Sequence, residues 1–278
     1  MLLVELAKQA VYRSEGAEAL ALAEEAREIY RSMGARAPSV EIANATEAIG
    51  YALKELNRAD EGIKALDEAI ALLREGGYPF VVDTLRTKAN WCYDLRRYED
   101  AIATYLEAIA INEINGEHEF FGKDLYWVAM CYQKLGRWSD AIVHAQKARN
   151  SLRENPNPLV DNIAWCDLCI ADSYVELKNT EAAQPFAQRG YDIGTIRKNG
   201  ALICKAAMIL GKIQVTKGEL EEAEKRFEEA RNLVAGNDDW EMVQKIEKEF
   251  INLYLVQGKV GAAEEVERRL KSLQEVIE

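Results

Sequence analysis

Residues 98–108 read YEDAIATYLEA, and three further segments superimpose on them without gaps: ADEGIKALDEA (59–69), WSDAIVHAQKA (138–148) and LEEAEKRFEEA (220–230). Each segment carries two small residues seven positions apart. Copies of the first small residue occur at positions 19, 62, 101, 141, 183, 223 and 263. Because a fixed internal period of about 20 to 50 residues is the signature of stacked repeats, the sequence predicts seven copies of one structural unit.

Each unit contains two amphipathic helical patterns joined by a short polar turn. In the fourth unit Leu125, Val128 and Tyr132 recur at helical spacing, and the turn Gly136-Arg137 follows them. Small residues seven apart lie on one face of a helix and permit a neighbouring helix to approach closely. The same turn is predicted at Asn57-Arg58, Arg96-Arg97, Lys178-Asn179, Gly218-Glu219 and Gly258-Lys259.

Residues 125–142 follow the pattern L-x-x-V-A-x-x-Y-x-x-L-G-R-W-x-D-A-I. This pattern resembles the tetratricopeptide repeat (TPR), whose signature is W-x-x-L-G-x-x-Y followed by A-x-x-x-F and P. The resemblance implies an all-α fold, a right-handed α-solenoid of about seven TPR-like helix-turn-helix hairpins. The step of about 40 residues exceeds the usual ~34, which is typical of the long-repeat branch of the family.

We expect a single superhelical domain over residues 1–278. The predicted repeat boundaries lie near 1–36, 37–77, 78–117, 118–157, 158–198, 199–237 and 238–278.

The composition disfavours several classes of partner. With 35 basic and 47 acidic residues the net charge is −12, which argues against a nucleic acid or an anionic membrane surface. The amino terminus lacks the basic region of a secretory signal, and no apolar run is long enough to span a bilayer. Five cysteines scattered through apolar segments indicate reduced thiols, so we expect a cytoplasmic protein.

No catalytic or metal-binding constellation is present in the sequence. The two histidines, His118 and His144, accompany no nucleophile pattern, and there is no phosphate-binding glycine loop. Cys166 and Cys169 form a CxxC, but a structural zinc site needs four ligands and no second pair follows. The sequence therefore predicts helix packing for these cysteines, no catalysis, no cofactor and no metal.

The TPR resemblance places the first helix of each unit on a concave wall. Aromatic anchors, amides and an arginine that grips a carboxylate are what a peptide groove requires. In peptide-binding members a basic residue three before a small core residue and an Asn one after it match Arg86 and Asn90. The aromatic residues have a second interpretation, in which they only fill gaps between helices. The candidate peptide-binding residues are Tyr51, Arg86, Asn90, Lys123, Tyr126 and Trp165.

The predicted function is a non-catalytic scaffold or adaptor that holds an extended peptide or helix of a protein partner in this groove. One alternative is a peptide-responsive sensor or regulatory module whose superhelix changes shape on binding. Another is a self-assembling solenoid. The apolar residues Leu2, Leu3, Val4 and Leu6 at the amino-terminal edge suggest a homo-oligomer, unless this segment folds over the first unit.

Overall fold

The computed structural model describes residues 2–34, 38–78, 80–115, 120–155, 158–235 and 240–277. Over these residues the chain forms fourteen α-helices and no β-strand. In chain order they are α1 (Leu2–Tyr12), α2 (Gly16–Ser32), α3 (Ser39–Glu55), α4 (Ala59–Glu75), α5 (Val81–Asp94), α6 (Tyr98–Asn115), α7 (Phe121–Lys134), α8 (Trp138–Glu154), α9 (Val160–Glu176), α10 (Thr180–Arg197), α11 (Gly200–Lys217), α12 (Leu220–Val234), α13 (Trp240–Val256) and α14 (Val260–Ile277).

The chain divides into two compact units, Met1–Cys131 and Tyr132–Glu278, with the boundary inside α7. Helices adjacent in sequence pack against each other: α1 on α2 and α3 on α4 in the first unit, α9 on α10 and α11 on α12 in the second. The predicted all-α fold of helix-turn-helix hairpins is confirmed. The single domain over 1–278 and its repeat boundaries stay a prediction.

The small residues that define the period lie in the helix interfaces. Ala101 and Ala108 are fully buried, and the equivalent alanines of the other hairpins are buried as well. Gly62 of α4 lies close to Gly50 of α3: a Cβ on Gly62 would lie 2.8 Å from the Gly50 carbonyl oxygen. A larger side chain at these positions would separate the paired helices.

The predicted turns share one backbone geometry. Their first residues adopt the left-handed conformation, with φ of +59° at Asn57 and +78° at Gly218. The N–H of the following residue donates to the carbonyl five positions back, as from Glu219 to Gln214 at 2.9 Å. This bond closes the end of the first helix and is the Schellman arrangement. The predicted turn positions are therefore confirmed.

A buried carboxylate connects two hairpins in the second unit. Asp167 of α9 is fully buried and contacts Arg149 of α8 at 2.7 Å and Arg189 of α10 at 3.2 Å. The acid thus lies between two second helices that each carry a cation. Paired ions at such depth stabilise a unique packing only while every partner is present.

The same arrangement recurs two repeats further along. Glu247 of α13 contacts Arg231 of α12 at 2.9 Å and Arg269 of α14 at 2.5 Å. At the equivalent positions of the first unit, Arg27 of α2 pairs directly with Glu68 of α4 at 3.7 Å. Where successive second helices carry like charges, a first-helix carboxylate bridges them; where the charges are opposite, they pair directly.

The left-handed turns predict opposite effects of two substitutions. Lys178 has φ of +58°, so Lys178→Gly should stabilise the fold by about 0.5 to 1 kcal/mol because the Cβ penalty disappears. Gly218→Ala introduces that penalty and should destabilise by about 1 kcal/mol. Denaturant unfolding followed by circular dichroism measures both, and equal signs for the two variants would contradict the assigned geometry.

The bridging carboxylate gives a second prediction. Asp167→Asn leaves Arg149 without its counter-charge and should lower the free energy of unfolding by about 3 to 5 kcal/mol. The matched control is Asp161→Asn, which removes an exposed ion pair with Arg197 and should cost no more than about 1 kcal/mol. Similar losses in the two variants would show that Asp167 does not hold the hairpins together.

Candidate functional site

In the first unit, side chains from α1, α3, α5 and α7 form one continuous surface, which we call the first-helix face. α1 packs on α3. Tyr51 of α3 shares a hydrogen bond with Thr87 of α5, at 3.2 Å. Tyr93 of α5 contacts the Trp127 ring of α7, with centroids 5.3 Å apart. Five of the six predicted site residues lie on these helices.

The guanidinium of Arg86 is already engaged within the fold. Its Nε donates to both carboxylate oxygens of Asp124, at 3.0 and 2.9 Å, and its Nη1 donates to Asp83 at 3.0 Å. Its plane lies 4.4 Å from the Phe120 ring centroid. The remaining nitrogen, Nη2, is buried and has no hydrogen-bond partner among the described residues. Arg86 therefore secures α7 to α5 before any ligand arrives.

Asp124 is the buried member of this pair. Burial raises the pKa of its carboxyl to about 6, although the contact with Arg86 acts in the opposite direction. Only 3% of the residue is exposed. The ionised form consequently depends on Arg86, which is the cation in direct contact with it.

The predicted Asn90 lies beside a buried phenol. The hydroxyl of Tyr105, on α6, donates to Asn90 Oδ1. Burial also raises the pKa of Tyr105, which keeps the phenol protonated as a donor. The oxygen of Asn90 thus serves the hairpin itself, while the residue as a whole is exposed.

The structure brings Lys123 and Arg86 together around one ring. Lys123 Nζ lies 5.1 Å from the centroid of Phe120, whose other neighbour is Arg86. Phe120 is 37% exposed. It was missed as a candidate because it precedes α7 in the inter-repeat segment, where the helical spacing used to select groove residues does not apply.

The aromatic side chains form two groups on the first-helix face. Tyr51 is half-buried and meets Trp91 edge-on, with centroids 5.3 Å apart. Tyr126 lies beside Trp127, at 5.9 Å between centroids. Trp127 is 37% exposed and was not among the residues predicted for the groove.

The sixth predicted residue, Trp165, belongs to the second unit. It is half-buried and packs against the core cluster that includes Leu168 and Leu202. The first helices of this unit pair their charges with one another: Asp172 binds Lys205 at 2.6 Å, and further ion pairs join Lys212 to Asp172, Glu176 and Glu249. Packing against this core cluster therefore explains why much of the Trp165 side chain is buried.

The cysteines lie in the core. Burial raises the pKa of Cys166 to about 12 and that of Cys169 still further, so both remain thiols. Among the described residues there is no cluster of potential metal ligands. His144 Nδ1 lies 2.9 Å from the Asp140 carbonyl oxygen, and His118 lies outside the described residues.

The amino-terminal edge differs from the expected bare apolar stripe. Val4 is buried in a cluster with Ala7, and Leu3 packs against it, because α1 contacts both α2 and α3. Only Leu2 and Leu6 are exposed, by 74% and 37%. Self-association through this edge stays a prediction. Within the described ranges, no helix combines the length and apolar character needed to cross a membrane.

Comparison with known families identifies the repeat. Residues 41–114 match the family model of the tetratricopeptide repeat. Over these residues the chain is similar to tetratricopeptide repeats, and the predicted resemblance is confirmed. A comparison with curated protein sequences gives no match.

Solved structures share the fold over nearly the whole chain. The apo form of RapI is 15% identical, with a TM-score of 0.75 over 99% of this chain and 97% of that one. A Rap protein complexed with Competence and Sporulation Factor is 12% identical, with a TM-score of 0.61 over 98% and 74%. A Signal Transduction ATPase with Numerous Domains from Pyrococcus horikoshii, with a tetratricopeptide repeat sensor, is 16% identical, with a TM-score of 0.75 over 99% and 42%. At these identities the likeness establishes the fold alone.

The Arg86–Asp124 pair predicts a pH-dependent loss of stability. Arg86→Met removes the cation and should raise the pKa of Asp124 above its value of about 6. A folded-state pKa above the unfolded value of ~3.9 means that stability falls as pH rises through that interval. The free energy of unfolding of the variant should be about 3 kcal/mol lower than that of the wild type at pH 7.5. At pH 5 the difference should be smaller by about 1 kcal/mol.

Urea unfolding at the two pH values measures this difference. The control is Arg97→Met, which removes an exposed arginine paired with Asp100 and Asp60 and should cost less than about 1 kcal/mol at either pH. A loss for Arg86→Met that is the same at pH 5 and 7.5 would contradict the assignment of Asp124 as the dependent group.

Proposed function

We propose that this chain is a non-catalytic interaction module that binds an extended peptide or a helix of a partner protein on the first-helix face of the first unit. The observation that supports this best is the exposure of two aromatic rings at α7: Phe120 and Trp127 both remain more than one third exposed. Lys123 Nζ lies 5.1 Å from the centroid of the Phe120 ring. Large rings and cations of this kind carry most of the binding energy in protein interfaces.

Contacts within the fold that exist before any ligand binds support the same surface. The side chains of α5 and α7 are held in place by Arg86 and Asp124, so a ligand would meet preorganised groups. Preorganisation lowers the entropic cost of binding.

A second candidate function is a peptide-responsive sensor. It is favoured by the likeness to a Rap protein complexed with Competence and Sporulation Factor and to the repeat sensor of a signalling ATPase. Both candidates require peptide binding. They differ in whether peptide binding changes the conformation of the chain. Small-angle X-ray scattering with and without bound peptide would detect such a change as a change in the radius of gyration.

The test is a selection from a phage-displayed library of random peptides, followed by fluorescence anisotropy of the enriched sequences. Trp127→Ala and Lys123→Ala should each weaken binding by about tenfold or more. Val143→Ala on α8 and Leu106→Ala on α6 remove equally exposed apolar side chains from second helices and should change binding by less than about twofold.

Failure to enrich any peptide would overturn the proposal. So would peptides whose affinity falls only with the second-helix variants. Thermal unfolding of each variant separates lost binding from lost folding. All four side chains are partly exposed, but Trp127→Ala also removes the ring contact with Tyr93, so its binding is compared at a temperature where the variant is folded.

A further inference from the structure

A cleft of about 210 Å³ opens between α1 and α3 of the first unit, at one end of the first-helix face. Its lining residues are Lys8, Val11, Tyr12, Glu47 and Tyr51. Tyr12 is 89% exposed and contributes a ring that solvent reaches freely. Tyr51 is fixed by its hydrogen bond to Thr87 and its edge-on contact with Trp91.

Glu47 has an unusual position among the partly buried carboxylates. Its one hydrogen bond comes from the hydroxyl of Thr84, at 3.3 Å, and within the described part of the chain it forms no ion pair. Burial raises the pKa of Glu47, while Lys8 acts against this from a distance. The carboxylate has therefore lost hydration without gaining the direct cationic partner that Asp124 and Asp167 have.

We propose that this cleft binds a positively charged nitrogen of the peptide, either its amino terminus or a Lys or Arg side chain; this rests on the proposed function. A carboxylate at the wall supplies a charge-assisted hydrogen bond. The rings of Tyr12 and Tyr51 supply the faces on which a cation is attracted to the ring quadrupole. Val11 adds an apolar wall, and the Lys8 ammonium, which lines the same cleft and acts on Glu47 electrostatically, is the cation with which the ligand nitrogen competes.

The experiment presents three pools of synthetic decapeptides to the immobilised full chain and quantifies retained peptides by mass spectrometry. One pool has a free amino terminus and no Lys or Arg, one is acetylated and carries a single Lys or Arg, and one is acetylated without a cation. We expect one cationic pool to be retained about tenfold over the neutral pool. The pool retained identifies the source of the charge.

Glu47→Gln keeps the acceptor for Thr84 but removes the charge, and should abolish this preference. Tyr12→Ala should reduce it by about threefold to tenfold, and its high exposure ensures that the variant folds. Glu55→Gln is the matched control, because it removes one charge from the exposed end of the same helix and should leave the preference unchanged.

The outcomes separate this proposal from the one on which it rests. Equal retention of all three pools, or a preference that survives in Glu47→Gln, would overturn the cation site and leave peptide binding by the first-helix face intact. Retention of none of the pools would overturn both. A preference lost equally in Glu55→Gln would overturn the site as well, since it would reflect only the overall charge of −12.

Discussion

The close approach of paired helices at buried small residues is the constraint on which every hairpin depends. Gly50 and Gly62 bring the backbones of α3 and α4 almost into contact, and buried alanines occupy the position of Gly62 in the other hairpins. Because close packing at the small residues leaves little space between the two helices, the position of each first helix relative to its own second helix is fixed. The orientation of the first-helix face follows from this, since that face is the side turned away from the small residues.

Charge then determines how successive hairpins are joined. At several junctions a side chain of one second helix contacts a side chain of the next, or both contact the same acid. Arg27 meets Glu68 directly, and Tyr191 meets Glu229. At two junctions of the second unit, arginines of successive second helices contact one first-helix acid, Asp167 or Glu247. The same geometry is thus satisfied by different chemistry, which is why no single charged residue belongs to the repeat pattern.

The first-helix face contains two contrasting acids, of which Asp124 is buried and Glu47 is partly buried. Asp124 is paired with Arg86 and stabilises the contact of α5 with α7, whereas Glu47 lines a cleft and has only a hydroxyl partner. The first carboxylate serves the fold. Glu47 has no direct cationic partner among the described residues. This difference distinguishes an acid that stabilises the fold from a candidate binding group.

The sequence by itself determined the helical hairpins, their turns and the burial of the small residues, because period and turn chemistry are local properties of the chain. It also selected the helices of the candidate site, since one helix of each pair must carry the exposed face. Only the tertiary structure decided which side chains are free. Arg86 is engaged by Asp124, 38 residues away, and Asn90 by Tyr105, while Phe120 and Tyr12 lie where helical spacing could not place them. These partners come from other helices, in the same hairpin for Asn90 and in the next hairpin for Arg86, and the periodicity within a single helix does not record them.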